Sequence, residues 1–188
     1  MKIKTLLASS LLAGSALFAG NYNVDPTHSS ADFSVKHAMI STVKGNFATF
    51  SGSFVYDEAT KTLKSLNGTI QAATIDTGIK DRDDHLRSAD LFDVAKYPTI
   101  TFVLDEIKGD KAYGKLTMKG VTKPVVLALE NGGSATDPYG NKRVGLELTG
   151  KINRSDFGIS WNKALETGGV VVSEEVKIDV ALEGILQK

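Results

Sequence analysis

Apolar and polar residues alternate with period two through almost the whole chain, and no other feature limits its fold as strongly. Ala31, Phe33, Val35 and His37 fall on one face, with Asp32, Ser34 and Lys36 on the other. Successive side chains of a pleated strand point to opposite faces, so such a segment is a strand with one dry and one wet side. The same pattern returns at Leu66, Gly68, Ile70 and Ala72; at Ile100, Phe102 and Leu104; at Gly114, Leu116 and Met118; and at Val125, Leu127 and Leu129. It is longest at Val144 to Ile152 and clearest at Val176, Ile178, Val180 and Leu182. Phe47 and then Phe50, Phe54 and Tyr56 change phase, which predicts a bulge near Ala48-Thr49. Tyr22 to Asp25 is a short extended start, and Asn131 to Gly140, rich in Gly, Asp and Pro, reads as a loop.

About eight strands joined by short turns define an antiparallel all-β domain. One apolar face per strand fits a closed barrel and also two packed sheets. Long strands, such as Leu66 to Ala73 running on to Asp76, lean toward a tall barrel. Glycine recurs at inward positions 52, 68, 114 and 150, where a filled core would want a side chain. Either these glycines leave room for an apolar guest, or they relieve strain where coiled strands bend.

Between Thr77 and Thr101 the alternation gives way to a helical pattern. Asp81 can cap a short helix, Asp83 and Asp84 stand in its first turn, and Leu86 with Ala89 forms a narrow apolar stripe. A second turn is expected at Asp90 to Asp93, and Tyr97-Pro98 ends any helix. This helical flap, residues 81–93, would cap one end of the sheet and bring Arg82, Asp83, His85 and Arg87 to an opening.

Residues 1–20 read as a secretory signal peptide: Lys2 and Lys4, an apolar run from Leu6 to Phe18, and small residues at Ala19/Gly20 for cleavage. Residues 21–188 then form one domain, expected in the periplasm or secreted, without a stable membrane anchor. No cysteine is present, so an ordinary hydrophobic core must hold the fold. Lys+Arg and Asp+Glu both count 22, which leaves no broad basic face for nucleic acid. No cofactor and no metal is called for.

Several ordered motifs resemble the YceI-like family of exported bacterial proteins. They are VDPTHS at Val24 to Ser29, FSVKH at Phe33 to His37, GNFATFSG at Gly45 to Gly52, TGIKDRDDHLRS at Thr77 to Ser88, LFDVAKYPTITF at Leu91 to Phe102, GKLTMKGVTKPV at Gly114 to Val125, and INRSDFG at Ile152 to Gly158. The resemblance covers essentially all of the mature chain. It implies an extended, eight-stranded, lipocalin-like antiparallel barrel that carries a long apolar molecule such as a polyisoprenoid, an isoprenoid quinone or a fatty-acid amide. Leu91 stands where the family often has a second Phe.

On that reading the inward residues line the ligand: Phe33 and Val35, Phe47 and Phe50, Ile70, Phe102, Leu116 and Met118, Leu127, Leu146 and Leu148, and Val176, Ile178 and Val180. His37, Arg82, His85 and Arg154 would form a polar mouth for a head group, since a guanidinium fork suits phosphate. The competing reading of these cations is an ion-pair network with Asp83 and Asp156 that fixes the flap. A carrier rather than an enzyme is expected, with homodimer formation compatible with it. The alternative is a metal-dependent or hydrolytic enzyme using His28, His37 and His85, although these three lie in separate segments without metal-site spacing.

Overall fold

Strands with one greasy face must hide it, and here they do so by curling into a closed sheet. The computed structural model describes residues 19–166 and 168–188, so the expected signal segment falls almost wholly outside the described residues. In chain order the elements are β1 (Gly20–Val24), β2 (Ser30–His37), β3 (Ser41–Phe47), β4 (Phe50–Asp57), β5 (Thr62–Gln71), β6 (Ile75–Asp76), α1 (Lys80–Arg87), β7 (Thr99–Lys108), β8 (Lys111–Met118), β9 (Val121–Thr136), β10 (Lys142–Asn153) and β11 (Val172–Leu186).

The eleven strands occupy eight positions around a barrel, because three positions are each split in two. β1 and β2 both pair with β11, with Tyr22 opposite Leu186 and Ala31 opposite Val180. β3 and β4 pair with β2 and β1, and β6 and β5 pair with β3 and β4. β7 to β11 then follow as a meander, every pair antiparallel, and β1 on β11 closes the ring. The phase change at Ala48-Thr49 is the break between β3 and β4. The ring closes through β1, whereas on the branch that leaves β11 through β2 the pairing thins out: β3 meets β6 only at Asn46 and Phe47.

Three expectations need correction. The strand from Leu66 does not run through to Asp76; a 3-10 turn at Ala72–Thr74 interrupts it, and Ala72 N–H donates to Pro98 O where the flap returns. The segment from Asn131 is not a loop as far as Gly140, because β9 continues to Thr136 opposite β10. Gly133 adopts a left-handed φ of 89° beside the register shift at Gly145/Leu146, so the extra residue is absorbed as a bulge. In the flap only α1 is helical, Asp81 is not its cap, and no side chain caps it. Asp83, the one buried residue of α1, instead accepts from Thr77 N–H at 3.0 Å and from Thr77 Oγ1 at 2.5 Å, tying the helix to the chain that precedes it.

The interior has two layers. At one end, taken here as the upper end, Tyr22, Phe54, Tyr56, Leu63, Val144 and Leu146 are buried together. Tyr22 stacks on Phe54 with ring centroids 5.2 Å apart and meets Tyr56 edge-on at 6.4 Å. Their hydroxyls are satisfied: Tyr22 Oη donates to Glu58 at 2.7 Å, and Tyr56 Oη accepts from Asn131 Nδ2 at 2.6 Å. Buried tyrosines need such partners, and with them the aromatic layer stoppers this end. The lower layer collects Ile75 and Phe157 with Phe47, Leu91, Ile100, Leu116 and Met118, and the last five border an unfilled space.

Candidate functional site

Below the aromatic layer lies a cavity of about 430 Å³, within the size range of small-molecule sites, about 300–1,000 Å³. Its wall is built from the inward residues of successive strands: Phe33 and Val35 on β2, Phe47 on β3, Phe50 on β4, Ile70 on β5, Phe102 on β7, Leu116 and Met118 on β8, and Leu127 on β9. Leu148, Val176, Ile178 and Val180 complete it from β10 and β11. Leu146 is not in the wall. It sits two residues nearer the upper end than Leu148 and packs into the aromatic layer, 3% exposed. Alternation assigned its side of the sheet correctly; how far up the barrel the packing becomes solid is a separate matter.

The inward glycines divide in the same way. A Cβ on Gly114 would lie 2.5 Å from the Phe102 ring, and one on Gly150 would lie 2.5 Å from Leu127, so neighbouring side chains already cover these two positions. A Cβ on Gly52 would meet the Asn67 carbonyl at 2.8 Å. Only at Gly68, among the four, is there nothing within 4 Å. The reading that inward glycine leaves room therefore fits Gly68 among the four, while at Gly52, Gly114 and Gly150 neighbouring atoms already take the space.

The rim is formed by the β2–β3 turn, the start of α1 and the segment leading into β11. His37, Arg82, His85 and Arg154 all border the cavity, yet their bonding differs. Arg154 is 5% exposed and every donor is engaged: Nη1 with Ile159 O and Trp161 O at 2.8 Å, Nε with Ser173 O at 3.0 Å, and Nη2 with Val172 O at 3.4 Å and Glu174 Oε1 at 2.9 Å. It is the anchor of the segment 159–174, with no donor left for a head group. Arg82 is different. Its Nε and Nη2 donate to Thr77 Oγ1 at 2.7 Å and Thr77 O at 2.8 Å, and no carboxylate lies within ion-pair distance of it among the described residues. His85 meets Asp90 at 3.4 Å and stands edge-on to Trp161 with centroids 4.8 Å apart, while His37 ends β2 in an exposed position. The expected network with Asp83 and Asp156 is replaced by Thr77 contacts for Arg82 and Glu174 for Arg154.

Sequence reasoning missed several wall residues. Leu86, Leu91 and Phe92 reach the cavity from the flap, and Ile159, Trp161, Val171 and Val172 reach it from the segment before β11. Leu86 belongs to the apolar stripe expected of the flap helix, but neither stretch alternates, so the strand signal that marked the other wall residues was missing; Phe92 packs edge-on against Phe47 at 6.0 Å.

The three histidines do not converge. His28 is held by Asp25 at 2.8 Å on the outer surface, away from the cavity that His37 and His85 border. Among the described residues the one set of three potential metal ligands is Asp25, His28 and Glu183. Arg143 already bridges two of these, at 2.8 Å to Asp25 and 2.6 Å to Glu183, and also binds Asp137 at 2.8 Å.

Comparison with known proteins agrees with this geometry. The family profile of the YceI-like domain matches residues 22–184. Protein YceI of Salmonella newport strain SL254 is 37% identical over 188 residues, covering 97% of this chain and 95% of that protein. The crystal structure of BcnA from Burkholderia cenocepacia superposes with a TM-score of 0.72 at 28% identity, over 85% of this chain and 98% of BcnA. A polyisoprenoid binding domain from Saccharophagus degradans shares the fold with a TM-score of 0.67 at 19% identity, over 88% of this chain and 98% of that domain. A match over nearly all of the barrel, in sequence as well as in fold, means that this chain belongs to the YceI-like family.

Proposed function

We propose that the protein is a carrier that holds one long apolar lipid in the lower chamber of the barrel. The polyisoprenoid, isoprenoid quinone and fatty-acid amide classes fit best, with chain inside and head group at the rim near Arg82, His37 and His85. The observation that carries this reading is the cavity of about 430 Å³ walled largely by aliphatic and aromatic side chains, with His37, Arg82 and His85 on its border. The polyisoprenoid binding domain of the same fold supports it.

Burial of the chain supplies the affinity. Each methylene removed from water contributes about 0.8 kcal/mol, so about fifteen buried carbons contribute about 12 kcal/mol. Against an association cost of at least about 4 kcal/mol, roughly 8 kcal/mol remains, which corresponds to micromolar binding without any polar contact. A charged head group would add selectivity through Arg82. The protein acts as a binding protein rather than an enzyme, and it works in the periplasm or outside the cell once residues 1–20 are removed; the basic, apolar and small-residue order of that segment supports export.

The test is organic extraction of protein purified from its own cells, with mass spectrometry of the extract and a thermal-unfolding titration with a polyisoprenoid. A long-chain species in the extract and a rise in melting temperature are expected. If neither is found, the carrier reading fails.

A further inference from the structure

The rim of the chamber carries a feature that a soluble container does not need. The β2–β3 turn places Met39 and Ile40 at its tip, 62% and 87% exposed. Ala38 and Met39 both hold left-handed backbone, φ 47° and 61°, so the turn is shaped to present these two side chains outward. Non-glycine residues adopt that region at a cost, and here Ala38 N–H donating to Val171 O at 2.8 Å and Ile40 N–H donating to His37 O at 3.1 Å hold the turn in place. Ile79, 53% exposed, follows β6, which runs beside β3 toward the same end. The tip is continuous with the chamber: His37 and Val43, on either side of the turn, are both wall residues.

Beside this apolar tip lies a band of lysines. On the outer faces of β11, β2 and β3, Lys177 lies opposite Ser34 and Ser34 opposite Lys44, while Lys36 lies opposite Thr42 one step nearer the tip. Among the described residues, Lys36, Lys44 and Lys177 pair with no carboxylate, and all three are exposed. Lys80 and Lys151 stand nearby but are neutralised by Asp84 and Glu175. The acidic row of Asp32, Asp179 and Asp76 begins two residues further from the tip, about 7 Å along the strands. On a chain with equal numbers of basic and acidic residues, these three lysines form a local basic band beside the tip, and the exposed carboxylate of Asp81 stands on the neighbouring flap.

From this juxtaposition of an exposed Met39-Ile40 tip, three unpaired lysines and the chamber rim, we infer that the mouth end docks on an anionic phospholipid bilayer. Met39, Ile40 and Ile79 enter the interfacial region, and Lys36, Lys44 and Lys177 meet the phosphates. The purpose of docking rests on the carrier reading, because a lipid leaving the bilayer could then pass the rim without crossing water. The surface itself stands on its own geometry.

The test is flotation of the purified protein with two kinds of vesicle: phosphatidylcholine alone, and phosphatidylcholine with one third of the lipid replaced by phosphatidylglycerol. Binding to the anionic vesicles, released by salt, is expected, with far weaker binding to the neutral ones. Each Lys→Gln change at positions 36, 44 and 177 should lower partitioning by about fivefold, and the triple variant by about a hundredfold. Ile40→Asp should abolish it. Uptake of phenylnaphthylamine, a soluble apolar probe, should stay unchanged in the Lys44→Gln, Lys177→Gln and Ile40→Asp variants, which also shows that they are folded; Lys36 borders the cavity, so its variants are checked for folding by circular dichroism. Equal binding to both vesicle types overturns the inference, as does vesicle binding unchanged by Ile40→Asp. A dimer in size-exclusion chromatography that Ile40→Asp dissociates also overturns it, since the tip would then be an interface between two copies. If the probe does not enter the wild-type chamber while the vesicle results hold, the carrier reading falls and the docking surface stands.

Discussion

Gly68→Leu separates an occupied chamber from an incidental void. Gly68 lies on β5 between Gly52 on β4 and Phe102 on β7, with an ordinary strand backbone and nothing within 4 Å of the place its Cβ would take. Leucine would put four carbons into the space that a ligand chain needs. Displacing about as many ligand methylenes at about 0.8 kcal/mol each costs roughly 3 kcal/mol, or about a hundredfold in affinity. The free protein should not suffer: the added side chain enters an apolar chamber without a clash and removes the conformational freedom of an unfolded glycine, so stability should hold or rise by about 1 kcal/mol. Gly114→Leu is the contrast, because its side chain would collide with the Phe102 ring and should destabilise the fold. The assay is titration with a long-chain fluorescent probe next to urea unfolding of each variant. Gly68→Leu binding the same chain as tightly as wild type would refute the placement of ligand in this chamber, and a Gly68→Leu protein that barely folds would refute the claim of unfilled space.

Three further outcomes follow from the same contacts. Arg154→Met, which strands the carbonyls of Ile159, Trp161 and Ser173 and leaves Glu174 unpaired, should cost about 3–5 kcal/mol in urea unfolding; a loss under about 1 kcal/mol would show that the segment 159–174 is held by other means. The Thr27 hydroxyl, then Arg143 and His28, hold the Asp25 carboxyl well below the usual carboxylate range, and Asn141 followed by Arg143 does the same for Asp137. Because both folded-state values are lowered, their stabilisation is complete above the unfolded value, about pH 4, and is lost only as pH falls well beneath it; Arg143→Gln should therefore move the acid-unfolding midpoint, followed by circular dichroism, upward toward about pH 4, and an unmoved midpoint would show that the cluster does not couple to folding. Phe54→Ala, at a side chain 1% exposed and stacked on Tyr22, should cost about 3–5 kcal/mol and open the upper end, so that the surviving protein accepts longer chains in a probe-length series; unchanged length selectivity would show that the aromatic layer is not the stopper.

Particular residues show where reading from sequence succeeds and where it stops. Phe33, Leu116 and Ile178 could be placed on the inside because side-chain direction in a strand repeats every two residues, a rule local to the strand itself. The same rule placed Leu146 with Leu148, yet only Leu148 meets the cavity, since depth of packing depends on Tyr22, Phe54 and Tyr56 arriving from strands remote in the chain. Trp161 and Phe92 were invisible for the opposite reason: they lie in segments without periodicity and face the cavity only because Arg154 and the Asp83–Thr77 contact fold those segments over its lower end.

Alternation along the chain was thus enough to specify an all-β domain, its strand faces and an apolar inside. It could not decide between a barrel and a sandwich, because both satisfy the same local pattern; the pairing of β1 with β11 decided that. Nor could it tell a glycine that leaves space from one that is covered. Gly68 and Gly114 look alike in sequence, and only the position of the Phe102 ring, packed over Gly114 and not over Gly68, leaves a chamber in one part of the barrel and solid packing in another.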